Sequence, residues 1–387
     1  MTQPTSARCA ETRCLEKDRQ VEGDHTVFVT GATSLLGRLV VRELLARGCR
    51  VVALLRTSSP FTETTIAASL EGGGGVPWER LSVLRGDVWE PDLGLGPSIP
   101  SMLAEVGTIL HLARPRASEE PLLGARAKGV DGVIELARRH GSIRRLVVLS
   151  TTDVTGDYKG RFYEDWLDIG QKLSTQLARD TIEAERRARQ GASYVPIRVV
   201  RHAQLVGHSC TGLFECDAGF SRVFPWGELA ARLPSFVHPP APAEGHRFVT
   251  ISPVDYVAEG LVEIALSSEL GESMTFCLAD PASPTLAELF ELVLDRVGGP
   301  SPGLRFPVEG KGAVGLGVNL VARLGASVTG ALGKGSGSWG FLLQRGEHDV
   351  SNAQRVLEPA GITCPRLPTY FDALYEDYRR RRGRLQR

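Results

Sequence analysis

The segment Thr30-Gly31-Ala32-Thr33-Ser34-Leu35-Leu36-Gly37 lies directly after a short apolar run and directly before a helical pattern. Glycine at the turn lets the chain reverse tightly, and glycine at the helix entry lets helix and strand pack closely. The helix N-terminus offers free N–H groups and a positive dipole end to a pyrophosphate. The chemistry this suits is dinucleotide binding, although glycine at a β-to-α turn has uses without any ligand. Where an acidic residue would grip an adenosine ribose 2′-hydroxyl, the chain carries Arg56. Arginine there complements a 2′-phosphate, which favours NADP(H), with NAD(H) as the alternative; a solvated strand-end arginine fits the same residue. Gly86-Asp87-Val88 sets a carboxylate at the edge of a third apolar run, suited to an adenine amino group or to capping the next loop.

These residues need a sheet to hold them. Apolar runs at 26–30, 51–55, 81–84, 108–112 and 146–149 alternate with helical periodicity, the pattern of βαβ units and a parallel sheet. Leu36, Val40 and Leu44 recur at four-residue spacing, widened by Val41 and Leu45 and stopped by Gly48, which predicts a crossover helix. Residues 170–189 predict a second long helix, 194–200 a sixth strand, and 253–266 and 285–297 further helices. The segment 57–79, with glycine at 72–75, lacks periodicity and reads as a mobile surface loop without chemistry. The glycine-rich apolar stretch 311–340, interrupted by Arg323 and Lys334, reads as a helical cap over an apolar pocket. The basic tail 379–387 reads as a solvated helix end rather than a nucleic-acid patch.

Of the 387 residues, 45 are Lys or Arg and 45 are Asp or Glu, so no net field draws the protein to nucleic acid or anionic lipid. A small molecule is the expected partner. Seven cysteines form neither a disulfide framework nor paired zinc spacing, so no metal site is expected. Residues 1–24 are polar and read as a disordered extension without a signal-peptide core, and no later apolar stretch is long enough to span a bilayer. Cytoplasm is the expected compartment. The expected fold is α/β, a Rossmann-type doubly wound parallel sheet over 25–200. A smaller C-terminal substrate lobe over 201–387 is expected to be interleaved with it.

Together with His111-Leu112-Ala113, Leu149-Ser150-Thr151 and Pro253-Val254-Asp255-Tyr256-Val257, these motifs resemble the extended short-chain dehydrogenase/reductase family. The nearest branch is that of thioester-reductase and fatty-acyl-reductase-like domains, and Gly361-Ile362-Thr363-Cys364-Pro365 resembles its closing segment. The resemblance implies cofactor positions at Gly31, Ser34, Leu35, Gly37, Arg56, Asp87, Val88, Leu112 and Ala113. Ser34 departs from the family's middle glycine, and its hydroxyl is able to donate to phosphate. The larger departure is in the catalytic group. The family pairs a serine or threonine after strand five with a tyrosine and, four residues on, a lysine that lowers the tyrosine pKa for proton transfer. Here the hydroxyl falls at Thr151, but Leu177 stands at the tyrosine position and Thr181 at the lysine position.

Three residues are candidates to stand in. His202 follows strand six, where the family carries proline beside the nicotinamide, and an imidazole titrates near neutrality; a histidine bonded to backbone at a strand end is the simpler account. Tyr163 and Tyr158 lie between strand five and the next helix, as pocket-mouth groups or as packing residues. Asp180 reads as an exposed helix charge and Asp255 as a structural residue. Thr151, His202 and Tyr163 are thus the candidate catalytic set. One expected function is an NAD(P)H-dependent reductase of a carbonyl, enone or imine on a lipophilic small molecule of secondary metabolism, acting as monomer or homodimer. The second is a degenerate nucleotide-binding sensor or scaffold. The third is a dehydratase, epimerase or acyl-thioester reductase.

Overall fold

A computed structural model describes residues 25–70, 75–96, 101–115, 124–173, 175–214, 219–231, 249–268, 273–298 and 346–385. The expected disordered extension at 1–24, the glycines at 72–74 and the expected cap at 311–340 lie outside these residues.

Strands β1 (Thr26–Thr30), β2 (Arg50–Leu55), β3 (Leu81–Arg85), β4 (Val106–His111), β5 (Arg145–Thr151), β7 (Ile197–His202) and β10 (Met274–Leu278) form a seven-stranded sheet in the order β10-β7-β5-β4-β1-β2-β3. All its pairings are parallel. Period-two alternation splits the strands between two apolar layers, as a sheet buried on both faces requires. Val27 and Val29 of β1 face one layer with Val51, Ala53 and Leu55 of β2, while Phe28, Val52 and Leu54 face the other. Helices α1 (Leu35–Ala46), α6 (Val254–Leu266) and α8 (Ser351–Leu357) close the first layer, and α3 (Ala125–Arg139) and α4 (Gln176–Gly191) close the second. This is a Rossmann-type doubly wound α/β fold.

Helix α1 forms where the four-residue spacing predicts it. Ser34 caps its N-terminus by accepting from the Gly37 N–H at 3.0 Å, and Gly48 past its end has φ +85°. The segment 57–79 differs from the expected featureless loop. It holds helix α2 (Glu63–Ala68), capped by Thr62, whose side chain and that of Thr65 satisfy each other's backbone N–H. Arg85 ties this segment to β3 by donating to the carbonyls of Ser59 at 2.9 Å and Phe61 at 2.7 Å.

Strand β10 comes from the expected lobe segment yet completes the main sheet beside β7. Two small parallel pairs lie outside the main sheet: β6 (Gly160–Phe162) with β11 (Gly346–His348), and β8 (Gln204–Val206) with β9 (Ile251–Pro253). Helices α5 (Val223–Ala230), α7 (Leu286–Val297) and α9 (Leu367–Leu385) enclose a separate aromatic cluster in which Phe224 packs on Phe220, Phe371 and Tyr375. The described part of the basic tail is the end of α9, where Arg381 pairs with Asp377 at 2.6 Å and Arg382 with Glu228.

A buried polar knot joins β5, β7 and α4. Glu185, whose side chain is fully enclosed, accepts from Arg201 at 2.5 Å, Ser150 at 3.0 Å and Arg189 at 2.9 Å. Arg201 also donates to the carbonyl of Trp166 and so fixes the loop entering α4. Removing one partner of such a knot strands a buried charge, at about 3–5 kcal/mol. Glu185→Ala is therefore expected to lose about that much unfolding free energy in a urea titration read by circular dichroism; a loss under about 1 kcal/mol would mean the knot is solvated.

Candidate functional site

The turn from β1 into α1 is closed by contact, and glycine is obligatory at both ends. Gly31 has φ +78°, and a Cβ there would lie 2.7 Å from the Ala113 nitrogen; a Cβ on Gly37 would lie 2.1 Å from the Gly31 carbonyl oxygen. Neither neighbour is a movable side chain, so α1 enters hard against β1 and the end of β4. Its N-terminus opens on a cavity of about 610 Å³ at the carboxyl ends of the strands, where strand order reverses between β1 and β4. Of the expected cofactor residues, Gly31, Ser34, Arg56, Asp87, Val88, Leu112 and Ala113 line this cavity. Gly37 shapes it from behind, and Leu35 is buried in the first turn of α1. The cradle, the helix N-terminus and the position fit a dinucleotide.

Ser34 differs from expectation in its chemistry. Its hydroxyl donates to the Gly31 carbonyl at 3.1 Å while accepting from Gly37, so it is spent within the turn rather than offered to a phosphate. Its φ of −71° imposes no strain on a residue bearing a Cβ. Asp87 takes the capping role, accepting from the Trp89 N–H at 3.0 Å. The Arg56 guanidinium lies 4.2 Å from the centre of the Trp89 ring and 3.8 Å from the Asp87 carboxylate, which aims its charge along the cavity wall. Sequence reasoning missed Trp89 because the stack joins two elements. It also missed Arg38, although this follows the last fingerprint glycine directly; Arg38 donates to the Thr33 carbonyl at 2.6 Å and lies over Phe61. Ser59, Pro60 and Phe61, from the loop assigned no chemistry, form part of the wall.

A smaller cavity of about 130 Å³ adjoins the first, sharing Arg114, Arg126 and Leu177 with it. Thr151 and His202 line it from adjacent strands, in register across β5 and β7. Leu177 therefore faces the space where the family's tyrosine would work, and Thr181 is buried with its hydroxyl donated to the Leu177 carbonyl at 2.7 Å. Thr151 donates to the Asp153 carboxylate at 2.8 Å. Tyr163 is not brought to either cavity: it is 47% exposed and packs against Trp166 and Arg161. Tyr158 likewise packs, edge-on to Phe162 and Trp166. Asp180 accepts from Gln176 on the same helix, and Asp255 holds the backbone and hydroxyl of Ser209.

His202 stands in the pocket but does not titrate near neutrality. Burial, then the nearby Arg114 and Arg126, push its pKa down to about 3. The ring is neutral, its Nδ1 bonded to the Ala203 carbonyl at 2.6 Å, which leaves Nε2 as a buried acceptor without a hydrogen-bond partner. It serves as an acceptor, not an acid. Among the described residues no cluster of three or more His, Cys, Asp or Glu is placed to hold a metal ion, and no helix is long and apolar enough to cross a membrane.

Comparison with known proteins agrees with this geometry. A family model described as male sterility protein, an NAD-binding family, matches residues 29–261. Ketoreductase CTB6 of Cercospora nicotianae is 26% identical over 137 residues, 33% of this chain and 37% of that protein. Cinnamoyl-CoA reductase 1 of Oryza sativa is 31% identical over 125 residues, 32% of this chain and 34% of that one. The chain thus spans little more than a third of the length of these relatives. The terminal R domain of the myxalamid PKS-NRPS pathway has a similar structure, with a TM-score of 0.67 at 22% identity over 94% of this chain and 93% of that one. The reductase domain of a nonribosomal peptide synthetase from Mycobacterium tuberculosis gives 0.66 at 20% identity, covering 95% of each. These two likenesses show the fold.

His202 contributes to a pH dependence of stability, as do His111 and His348, which burial also holds low, to about 4 and about 3. Between about pH 6.5 and 3 the unfolded chain takes up the proton and the folded one refuses it, so stability present above 6.5 drains as pH falls, at about 1.4 kcal/mol per pH unit. Glu164, raised to about 7 by burial, is protonated first in the folded state and opposes the loss between about 7 and 4.5. His202→Gln removes only the first contribution. Its unfolding free energy is expected to fall less steeply than that of the wild type between pH 6 and 4, by about 1.4 kcal/mol per unit; parallel curves would mean that the ring is hydrated.

Proposed function

The chain belongs to the extended short-chain dehydrogenase/reductase family, in the NAD-binding branch described as male sterility proteins, and on that premise we propose that it is an NAD(P)H-dependent reductase. Its substrate is a small molecule with a lipophilic body and a reducible carbonyl, enone or imine, and secondary metabolism is its setting. The observation that carries this reading is the junction of the two cavities: a glycine-shaped dinucleotide cradle opens directly onto a pocket holding Thr151 and His202. Partial similarity to a ketoreductase and to a cinnamoyl-CoA reductase supports the same class of chemistry. Leu177 and Leu205 supply apolar wall for the body of the substrate.

A reduced nicotinamide, when bound, supplies hydride; the protein has to place the acceptor and stabilise the charge that develops on it. Gly31, Gly37 and the first turn of α1 would hold the pyrophosphate of a bound cofactor, and Arg56, stacked on Trp89, would meet a 2′-phosphate, which favours NADP(H). Thr151 transfers its hydrogen bond from Asp153 to the acceptor oxygen by rotation about Cα–Cβ. Its two-residue link to Asp153 keeps the hydroxyl at the pocket rim. Leu177 and Thr181 stand in place of the tyrosine and lysine, and neither passes a proton at neutral pH. The product oxygen takes its proton from water, and acceptors needing little acid assistance are favoured. A nucleotide-binding sensor is the competing reading, motivated by those same two residues.

Titration with NADPH and NADH, followed by nicotinamide fluorescence, tests the cofactor assignment. Wild type is expected to bind NADPH more tightly, and Arg56→Ala to lose about tenfold in NADPH affinity with little change for NADH, the effect of about 1.4 kcal/mol from one charge-assisted contact. Equal loss for both cofactors would place Arg56 outside 2′-phosphate recognition. Against a panel of ketones, enones and imines, Thr151→Ala is expected to lower kcat about a hundredfold while NADPH affinity stays within twofold. No NADPH oxidation by wild type with any member would favour the sensor.

A further inference from the structure

His202 is the last residue of β7, and 4% of it is exposed. Its Nδ1 lies 2.6 Å from the Ala203 carbonyl oxygen, a contact that places the ring proton on Nδ1 and leaves the lone pair on Nε2. That Nε2 is buried and has no hydrogen-bond partner. Buried polar atoms are paired as a rule, so an acceptor left alone in a cavity wall calls for a donor that the protein itself does not supply. The neighbouring donors are turned elsewhere. The Thr151 hydroxyl donates to Asp153 at 2.8 Å, and the Gln204 side-chain amide donates to the Leu205 carbonyl at 3.1 Å. His202 lines the smaller cavity, which shares Arg114, Arg126 and Leu177 with the nucleotide cavity and is thus open to the reacting end of a dinucleotide.

We propose that His202 is a positioning residue for the nicotinamide: its Nε2 accepts an N–H of the carboxamide at the reacting end of the cofactor. On the nicotinamide ring only the carboxamide carries N–H donors, so it is the group of that ring that can satisfy a lone pair. About 130 Å³ holds roughly four water-sized groups, enough for a carboxamide and the ring edge that bears it. Burial keeps the imidazole neutral, so the lone pair persists through the neutral range. His202 and Thr151 are register partners on adjacent parallel strands, about 4.8 Å apart in such a sheet. A carboxamide held by the one brings the ring beside the hydroxyl of the other. With one edge fastened, the ring cannot turn over about its bond to the ribose, and a single face meets the hydride acceptor. This inference deepens the reductase reading and rests on its cofactor.

The test uses the full chain and reads binding alone. NADP+ and its 3-acetylpyridine analogue displace NADPH, followed by nicotinamide fluorescence, and the corresponding NAD+ pair displaces NADH. The analogue keeps the carbonyl but carries a methyl group in place of the amide nitrogen, so it lacks both N–H donors. Wild type is expected to bind the analogue about tenfold more weakly, equivalent to about 1.4 kcal/mol. In His202→Leu the two ligands are expected to bind within twofold of each other, and in His202→Gln, whose side-chain oxygen still accepts, part of the preference is expected to return. A histidine that only packs would weaken both ligands alike and leave their ratio unchanged. Equal affinity in the wild type overturns the proposal without reference to any variant. A tenfold preference that persists in His202→Leu overturns it as well, because the carboxamide is then read by another residue. Either of these results leaves the cofactor assignment standing. Absence of both NADPH and NADH binding to wild type removes the cofactor, and the reductase reading and this inference fall together.

Discussion

The first turn of α1 meets the Gly31 peptide with no room for a methyl group between them, and the rest of the site is arranged around that contact. Because Gly37 lies against backbone, the start of α1 is held close against the end of β1. Ser34 completes the junction from inside, bonding both to Gly31 and to Gly37. A hydroxyl in place of a middle glycine thus exchanges some freedom of approach for a stiffer turn. The nucleotide cavity is what remains between this turn and the carboxyl ends of β2, β3 and β4.

The far end of the site lacks the pair on which proton transfer would depend. Leu177 removes the proton donor and Thr181 removes the cation that would have tuned it, the latter hydroxyl turned back onto its own helix. Arg114, past the end of β4, and Arg126, in the first turn of α3, line the same pocket as Leu177. Burial, with Arg114 and Arg126 nearby, keeps His202 neutral, and its Nε2 contributes a lone pair.

Much of the frame was legible in the sequence because it is written locally. Strand β1 has the predicted bounds, and α1 follows the spacing of Leu36, Val40 and Leu44. Thr285 and Glu288 spell a capping box at the start of α7. The β6 and β11 pair was not legible: each strand has three residues, and they meet across nearly half the chain, so no periodicity announces them. Helix α2 was overlooked because its box closes with Thr65 instead of a glutamate. At the site, glycines and strand-end residues were readable from motif position. The Arg56 and Trp89 stack, the exposure of Tyr163 and the neutral state of His202 depend on contacts between distant segments, which spacing does not record.

The placement of β10 bears on how the protein is made. Strand β7 ends at His202, but its outer neighbour begins only at Met274, after α5, α6 and the β8 and β9 pair. On the ribosome, at about 5–20 residues per second, β7 therefore emerges several seconds before the strand that covers its edge. During that interval six strands of the sheet are available to pair while one long buried edge stays bare, a template for pairing with another chain. The buried Arg198 and Arg201 of β7 face that interval as charges among Ile197, Val199, Val200 and His202. Arg198 gains the carbonyls of Ile264 and Ser267 only once α6 and its C-cap have been made, just ahead of β10, whereas Arg201 meets Glu185 and Trp166 from segments made before β7, so the edge that β10 closes is the last part of the strand to find its polar partners.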